Sequence, residues 1–279
     1  MILILHLWEC VLILLLDELK NKLFEAVIES INKEKSFAIA FSGGIDSSLL
    51  AKICKDTAMG KNDVVLLTIG FPHSNDIEFS KRIAKKICLP HKILELGTED
   101  FNKNLEYIMQ RIGCINVSHI ENCVAYFYIA KLAHENNLRL VLTANGCDEL
   151  FCGYNQFRMI YNQGKTSIMN LIDERINNEF ILAEEIERIT KEFGVNTKQP
   201  FLSQKFISFA KNIPLDQKIK SSNDLIRKHI LRELAISMGI PIEAAMRPKK
   251  ALQYGSLIHK NFKKHKYNNI TKSSINFVL

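Results

Sequence analysis

Two short polar stretches hold the residue types that phosphate and metal chemistry need. Ser42-Gly43-Gly44-Ile45-Asp46-Ser47 follows the apolar run Phe37–Phe41 and precedes Ser48-Leu49-Leu50-Ala51, an order of buried strand, glycine turn and helix. Paired glycines let the backbone approach a ligand closely and take positive φ. Such a turn aims free N–H groups and the positive end of a helix dipole at one point, which suits a phosphate or pyrophosphate. Ser42 and Ser47 add hydroxyl donors. Asp46 has the wrong charge for bare phosphate and the right one if Mg²⁺ lies between them. The spacing is not that of a Walker A loop, G-x-x-x-x-G-K-[ST]. The second stretch, Thr143-Ala144-Asn145-Gly146-Cys147-Asp148-Glu149, follows another apolar run and sets two acids beside a glycine turn. Asp46 and Asp148, from separate loops, can hold one Mg²⁺ that also takes phosphate oxygens. The plain alternatives are an ordinary strand-to-helix turn for the first stretch and helix capping by Asp148 and Glu149 for the second.

The elements that position these loops are legible from periodicity. Strands are expected at Phe37–Phe41, Val64–Ile69, Lys92–Leu96 and Arg139–Thr143, the second a continuous apolar run buried on both faces. Helical spacing predicts helices over Asp17–Asn32, Asp46–Ala58, Asn75–Cys88, Asp100–Ile112 and Ile120–Asn136. Strands alternating with helices imply an α/β fold, a doubly wound parallel sheet with helices on both faces and ligands bound beyond the carboxyl ends of the strands. The two polar loops and the stretch Thr68-Ile69-Gly70-Phe71 all lie there. After Tyr161 the pattern is helical throughout, with candidates at Ser167–Phe193, Ser203–Asn212, Asn223–Ser237 and Gly255–Lys266. The expected organisation is therefore an N-terminal extension and first helix over 1–35, an α/β core over 36–160, and a helical part over 161–279. The tail from 267 to 279 is expected to be loosely ordered.

The chain has 279 residues, 47% apolar and 24% charged, enough for a large core in a globular protein. The formal charge of +7 is compatible with a polyanionic ligand such as ATP or RNA, but the basic residues are spread along helices as on a solvated surface. Seven cysteines without a CxxC fit a reducing, cytoplasmic compartment better than a disulfide framework. Cys114, Cys123, Cys147 and Cys152 match no standard metal or cluster spacing. Residues 1–16 are almost wholly apolar, too short for a membrane span and without the marks of a signal peptide. They read either as sequence upstream of a natural start near Val11 or as an extra element packed on the domain.

The first loop resembles the pyrophosphate loop of the ATP-pyrophosphatase superfamily. The second, Thr143 through Tyr154, resembles the SGEGADELFGGY signature of the asparagine synthetase family in its synthetase domain. Asp76, Ala84 and His91 match a family pattern between the second and third strands. Gly194-Val195-Asn196-Thr197-Lys198-Gln199-Pro200-Phe201-Leu202-Ser203 is similar to the family's G-L-E-x-R-x-P-F-L-D. Lys228 to Arg232 and Arg247 to Lys249 are similar to its K-x-x-L-R and R-x-K segments, so the resemblance runs from about Phe37 to Ser256. It implies an ATP-dependent, AMP-forming amide ligase with ATP and Mg²⁺. ATP and pyrophosphate contacts fall on Ser42, Gly43, Gly44, Asp46, Ser47, Leu67, Thr68, Gly70 and Lys249. Mg²⁺ falls on Asp46 and Asp148, charge stabilisation on Lys249, and the substrate end on Asn145, Gly146 and Glu149.

Three departures bear on the substrate. Asn145 stands where the family has Glu, Ala144 where it has Gly, and Cys147 and Cys152 replace Ala and Gly. A neutral Asn cannot take a proton from an incoming amine. Asn196, Lys198 and Ser203 also replace Glu, Arg and Asp. Glutamine-dependent members begin Met-Cys and carry a glutaminase domain. This chain begins Met1-Ile2 with few residues before Phe37, so the expectation is that ammonia, another amine or a separate glutaminase subunit supplies nitrogen to a small carboxylate substrate. Two other readings follow from the same loops: a tRNA-modifying enzyme that adenylates a base, and a non-catalytic nucleotide-binding subunit.

Overall fold

The computed structural model describes residues 2–32, 34–58, 63–113 and 116–265, with side chains from residue 10 onward. The expectation for residues 267–279 lies outside the described residues, as does Cys114. The elements run α1 (Ile2–Ile31), β1 (Ser36–Ala40), α2 (Ile45–Ala58), β2 (Asp63–Gly70), α3 (Asn75–Ile87), β3 (His91–Glu95), α4 (Thr98–Ile112), α5 (Val117–Glu135) and β4 (Leu140–Leu142). They continue with α6 (Cys147–Leu150), α7 (Asn155–Met159), α8 (Lys165–Thr190), β5 (Asn196–Lys198), α9 (Gln204–Asn212), α10 (His229–Ser237), α11 (Ile242–Ala245) and α12 (Leu252–Gly255). The order in the sheet is β3-β2-β1-β4-β5, every pair parallel. The expected doubly wound α/β class is what the chain adopts.

Strand pleat divides the core. Phe37, Ile39, Leu66 and Leu142 point into one layer with α1, α2, α9 and α10. Ala38, Leu67, Ile69 and Val141 point into the other, with α4, α5 and α8. Both layers bury large side chains completely, each burial being worth roughly 1.5–3 kcal/mol, so the sheet is a rigid platform. The strand order reverses between β1 and β4, since β2 continues to one side of β1 and β4 lies on the other. Ligand crevices in such sheets open at this switch point, beyond the strands' carboxyl ends. The loops after β1 and β4 are the two polar loops.

Three stretches differ from expectation. The region after Tyr161 is not wholly helical: β5 pairs with β4 through Leu140 opposite Asn196 and Leu142 opposite Lys198. Its Asn-Thr-Lys sequence has no apolar run, because only Thr197 is buried and this is an edge strand. The helix expected from Asn223 begins only at His229. Asp224 accepts hydrogen bonds from the backbone N–H groups of Lys220, Ile226 and Arg227, which fixes a turn instead. Arg227 and Lys228 then take left-handed backbone angles, φ 51° and 55°. The helix expected from Gly255 is split by Leu257, φ 66°, between α12 and a helix over 258–265. At the N-terminus, α1 runs unbroken through the apolar extension, and its buried Leu19, Leu23 and Val27 pack under the sheet. No described helix is long and apolar enough to cross a membrane.

Candidate active site

The first loop is closed by its own hydroxyls. Gly44 N–H donates to Ser42 Oγ at 3.3 Å, Ser47 Oγ donates to Gly44 O at 3.3 Å, and Ser48 Oγ donates to Gly43 O at 3.0 Å. Gly43 has φ +75°, and a Cβ there would lie 2.9 Å from Phe79 Cδ1. This close packing on α3 turns Asp46, in the first turn of α2, toward the second loop. Gly146, φ +91°, makes the matching turn after β4, with Leu202 where a Cβ would go, and so presents Asp148.

Between the two acids stands a third residue, from a segment far away in sequence. Lys228 Nζ donates to Asp46 Oδ1 and Oδ2 at 2.8 and 2.7 Å and lies 2.6 Å from Asp148 Oδ1 in ion-pair contact. Lys249 donates to the other oxygen of Asp148. Cys147 Sγ donates to Asp46 Oδ1 at 3.0 Å. Lys228 is fully buried. Burial pulls the Lys228 ammonium toward neutrality, but Asp148 and Asp46 outweigh it and raise its pKa. Burial likewise pushes the Asp148 carboxyl up, and the charges of Lys228 and Lys249 overcome this and hold it at about 2. Gly153 is required here because a Cβ would meet Asp148 Oδ1 at 1.9 Å and Lys228 Cε at 2.4 Å.

Asp46 and Asp148, expected to share a metal, thus come together with the Lys228 ammonium between them. The acids still offer the donor set that Mg²⁺ takes, one or two carboxylates completed by phosphate oxygens and water. Among the described residues no group of three or more His, Cys, Asp or Glu is arranged to hold a metal ion by itself, so further ligands would come from substrate and solvent. Burial pushes the Cys147 thiol well up, which keeps it a thiol beside the acids rather than a thiolate nucleophile.

Arg247 carries Lys249 to its place. Its guanidinium donates to Ser42 O at 2.8 Å and to Asp76 Oδ1 at 2.9 Å, and lies 4.1 Å from the Phe79 ring centroid. Asp76 Oδ2 is buried without a hydrogen-bond partner.

A cavity of about 290 Å³ opens over the two loops. Ser42, Asp46, Ser47, Leu67, Thr68 and Lys249 line one end, and Asn145, Asp148 and Glu149 line the other. A smaller adjoining space of about 50 Å³ is faced by Gly44, Lys228, Arg232 and Arg247, a cationic corner beside the first loop. Gly43, Gly70 and Gly146 line neither cavity. Gly70 instead leaves room for Ser74, whose Oγ would lie 2.5 Å from a Cβ there. Thr68 is committed to the framework: its hydroxyl donates to Phe41 O at 2.5 Å and pairs with His91 Nε2 at 2.8 Å. Burial, with the Lys81 charge beside it, lowers His91 to about 4, so this ring is neutral at physiological pH.

The substrate end differs most from what the sequence offered. Asn145 Oδ1 accepts from Tyr126 Oη at 2.6 Å and Thr143 Oγ1 at 2.9 Å, and its Nδ2 donates to Glu179 Oε2 at 2.8 Å. Tyr154 Oη donates to Glu149 Oε1 at 2.6 Å. Burial, then the charges of Glu179 and Asp148, push Glu149 up to about 8. Folded Glu149 thus keeps its proton where the unfolded chain, near 4.5, has lost it. The stability this group contributes is complete below pH 4.5 and is lost as pH rises toward 8. We expect Tm to fall between pH 5 and 8 in the parent protein, and Glu149→Gln to flatten that slope in calorimetry.

Sequence reasoning missed Glu179 and the place of Lys228. Lys228 was visible as the first residue of a K-x-x-L-R segment, whereas nothing local marked Glu179 on the charged helix α8.

The asparagine synthase family model matches residues 18–173 and 167–276. A Methanocaldococcus jannaschii protein described as asparagine synthetase [glutamine-hydrolyzing] 1 is 27% identical, over 89% of this chain and 52% of its own length. Asparagine synthetase [glutamine-hydrolyzing] 1 of Saccharomyces cerevisiae is 24% identical, over 84% of this chain and 46% of its own. The chain thus spans about half the length of these curated relatives. Among solved structures, the U34-tRNA thiolase NcsA of Methanococcus maripaludis aligns with 91% of this chain and 74% of its own at 14% identity, TM-score 0.47. The chain belongs to the asparagine synthase family, a family of ATP-dependent ligases.

Proposed function

We propose that the protein activates a small carboxylate with ATP, releasing pyrophosphate, and passes the acyl-adenylate to ammonia or an amine. The observation that carries this reading is the meeting of Asp46, Asp148, Lys228 and Lys249 where the loops after β1 and β4 converge. A substrate carboxylate oxygen attacks the α-phosphorus of ATP, and the bond from that phosphorus to the β-phosphate bridging oxygen breaks. The negative charge that gathers on pyrophosphate faces the first loop's amides and the cations Lys228, Arg232 and Arg247. Mg²⁺, when held by Asp46 and Asp148, supplies further neutralisation of the leaving group. Lys249, between the two cavities, is placed to stabilise the charge on the acyl oxygen during amine attack. Nitrogen arrives as free ammonia, as an amine, or from a separate glutaminase subunit.

A panel of carboxylates with ATP, Mg²⁺ and ammonium chloride tests this. Pyrophosphate release should require one carboxylate of the panel and vanish in Asp46→Ala. Release of orthophosphate and ADP instead would refute the reading.

A further inference from the structure

Resting on that function, we propose that Glu179 is the base that takes the proton from the attacking nitrogen, with Asn145 as its positioning residue. Asn145 occupies the position where relatives of the same signature carry an acid, and it is not an idle replacement. Its amide is fixed on one side by the Tyr126 and Thr143 hydroxyls and spends its Nδ2 proton on Glu179, at 2.8 Å. The carboxylate missing from the β4 loop is thereby restored from α8, one hydrogen bond away. Glu179 lines the same cavity as Asp148 and Lys249, so its carboxylate opens on the space where an adenylate would present its acyl carbon.

The surroundings suit a base rather than a structural ion pair. Among the described residues Glu179 has no salt bridge to a lysine or arginine, and Lys249 from the segment before α12 is already engaged by Asp148. The groups facing Glu179 are Asp148 and Glu149 from α6, Lys249, His119 and Tyr126 from α5, and Tyr154. His119 is itself paired with Glu185 at 2.7 Å. Burial raises Glu179 first, Asp148 adds to it, and the Asn145 hydrogen bond with the Lys249 charge restrains the rise. A carboxylate raised above its ordinary value is a stronger proton acceptor than a surface one.

The step balances. The nitrogen lone pair forms the C–N bond, the acyl C–O bond to AMP breaks, and AMP leaves with the bonding pair. The proton lost by nitrogen passes to Glu179 and then to water at the cavity mouth. Positioned bases of this kind contribute about 10²–10⁴-fold.

The test uses Glu179→Gln and the carboxylate that supports pyrophosphate release in the full protein, with ammonium chloride as nitrogen source. Amide product should fall about 10²-fold or more relative to pyrophosphate release, and the activated carboxylate is recovered by hydrolysis. The rise of amide formation with pH, taken at constant free ammonia, should disappear. Asn145→Glu combined with Glu179→Gln, which moves the carboxylate across that one hydrogen bond, should regain at least tenfold. Equal loss of pyrophosphate and amide, or amide formation at the parental rate, would overturn the assignment. Absence of pyrophosphate from the parent protein would instead defeat the adenylation reading.

Discussion

Asp148→Asn is expected to lose pyrophosphate release by at least about 10²-fold and to lower stability by about 3 kcal/mol, because the buried Lys228 ammonium and the partly exposed Lys249 then share a single remaining carboxylate. Asparagine keeps the shape and removes the charge, so the loss is electrostatic. Lys228 is too deeply buried to find water, and its only other carboxylate among the described residues is Asp46. In a chain of this length the cost corresponds to a fall in Tm on the order of 10 °C. The acid limb should change as well. Folded Asp148 titrates at about 2, below its ordinary 3.8. A depressed carboxyl contributes stability above the unfolded value and loses it as pH falls through the folded one. The parent protein should therefore weaken between pH 4 and 2 by an amount that Asp148→Asn lacks. Calorimetry across that window, with a pyrophosphate assay at pH 7, reads both effects.

Lys228→Met is expected to produce the opposite imbalance. Asp148 keeps Lys249, but Asp46 is left with the Cys147 thiol as its remaining side-chain partner among the described contacts. Two carboxylates then converge on a space shaped for a cation. Pyrophosphate release should fall at least about 10²-fold, since the leaving group loses a fixed positive charge. Added Mg²⁺ should raise the Tm of this variant. Tenfold excess over the dissociation constant is worth about 1.4 kcal/mol by mass action, a shift of roughly 2–4 °C. The parent protein, whose ammonium already holds the position, should shift less, and Asp46→Asn combined with Lys228→Met should not respond. A parent that responds more strongly than Lys228→Met would show that the ion is held elsewhere.

What was legible in the sequence was what is local. The order of apolar run, glycine turn and helix placed β1, the loop at Ser42–Ser47 and α2 within a residue of their positions. The acid loop after β4 was equally plain. Both are decided by neighbours in the chain, where period and turn chemistry operate. Lys228 is different. It meets Asp46 across 182 positions, and its aim depends on a left-handed backbone that the Asp224 turn imposes. A helical pattern running through Asn223–Ser237 concealed that turn, since capping by Asp224 outweighed helix propensity over six residues. Glu179 was hidden for a related reason. On α8 it is one acid among several, and only its hydrogen bond from Asn145, in the loop after β4, distinguishes it from its solvated neighbours. Gly43, Gly70 and Gly146, expected at ligand contacts, each also leave space that a neighbouring side chain fills. β5 escaped because an edge strand of three residues with one buried side chain carries no period.

The central claim is that a carboxylate oxygen is transferred to the α-phosphorus of ATP between the first loop and the Asp148 loop. Oxygen transfer measures this directly. With the productive carboxylate labelled with ¹⁸O and ammonium chloride present, mass spectrometry should find one ¹⁸O in AMP for each amide formed, and none in pyrophosphate. Label in orthophosphate with ADP as co-product, or AMP free of label, would contradict it.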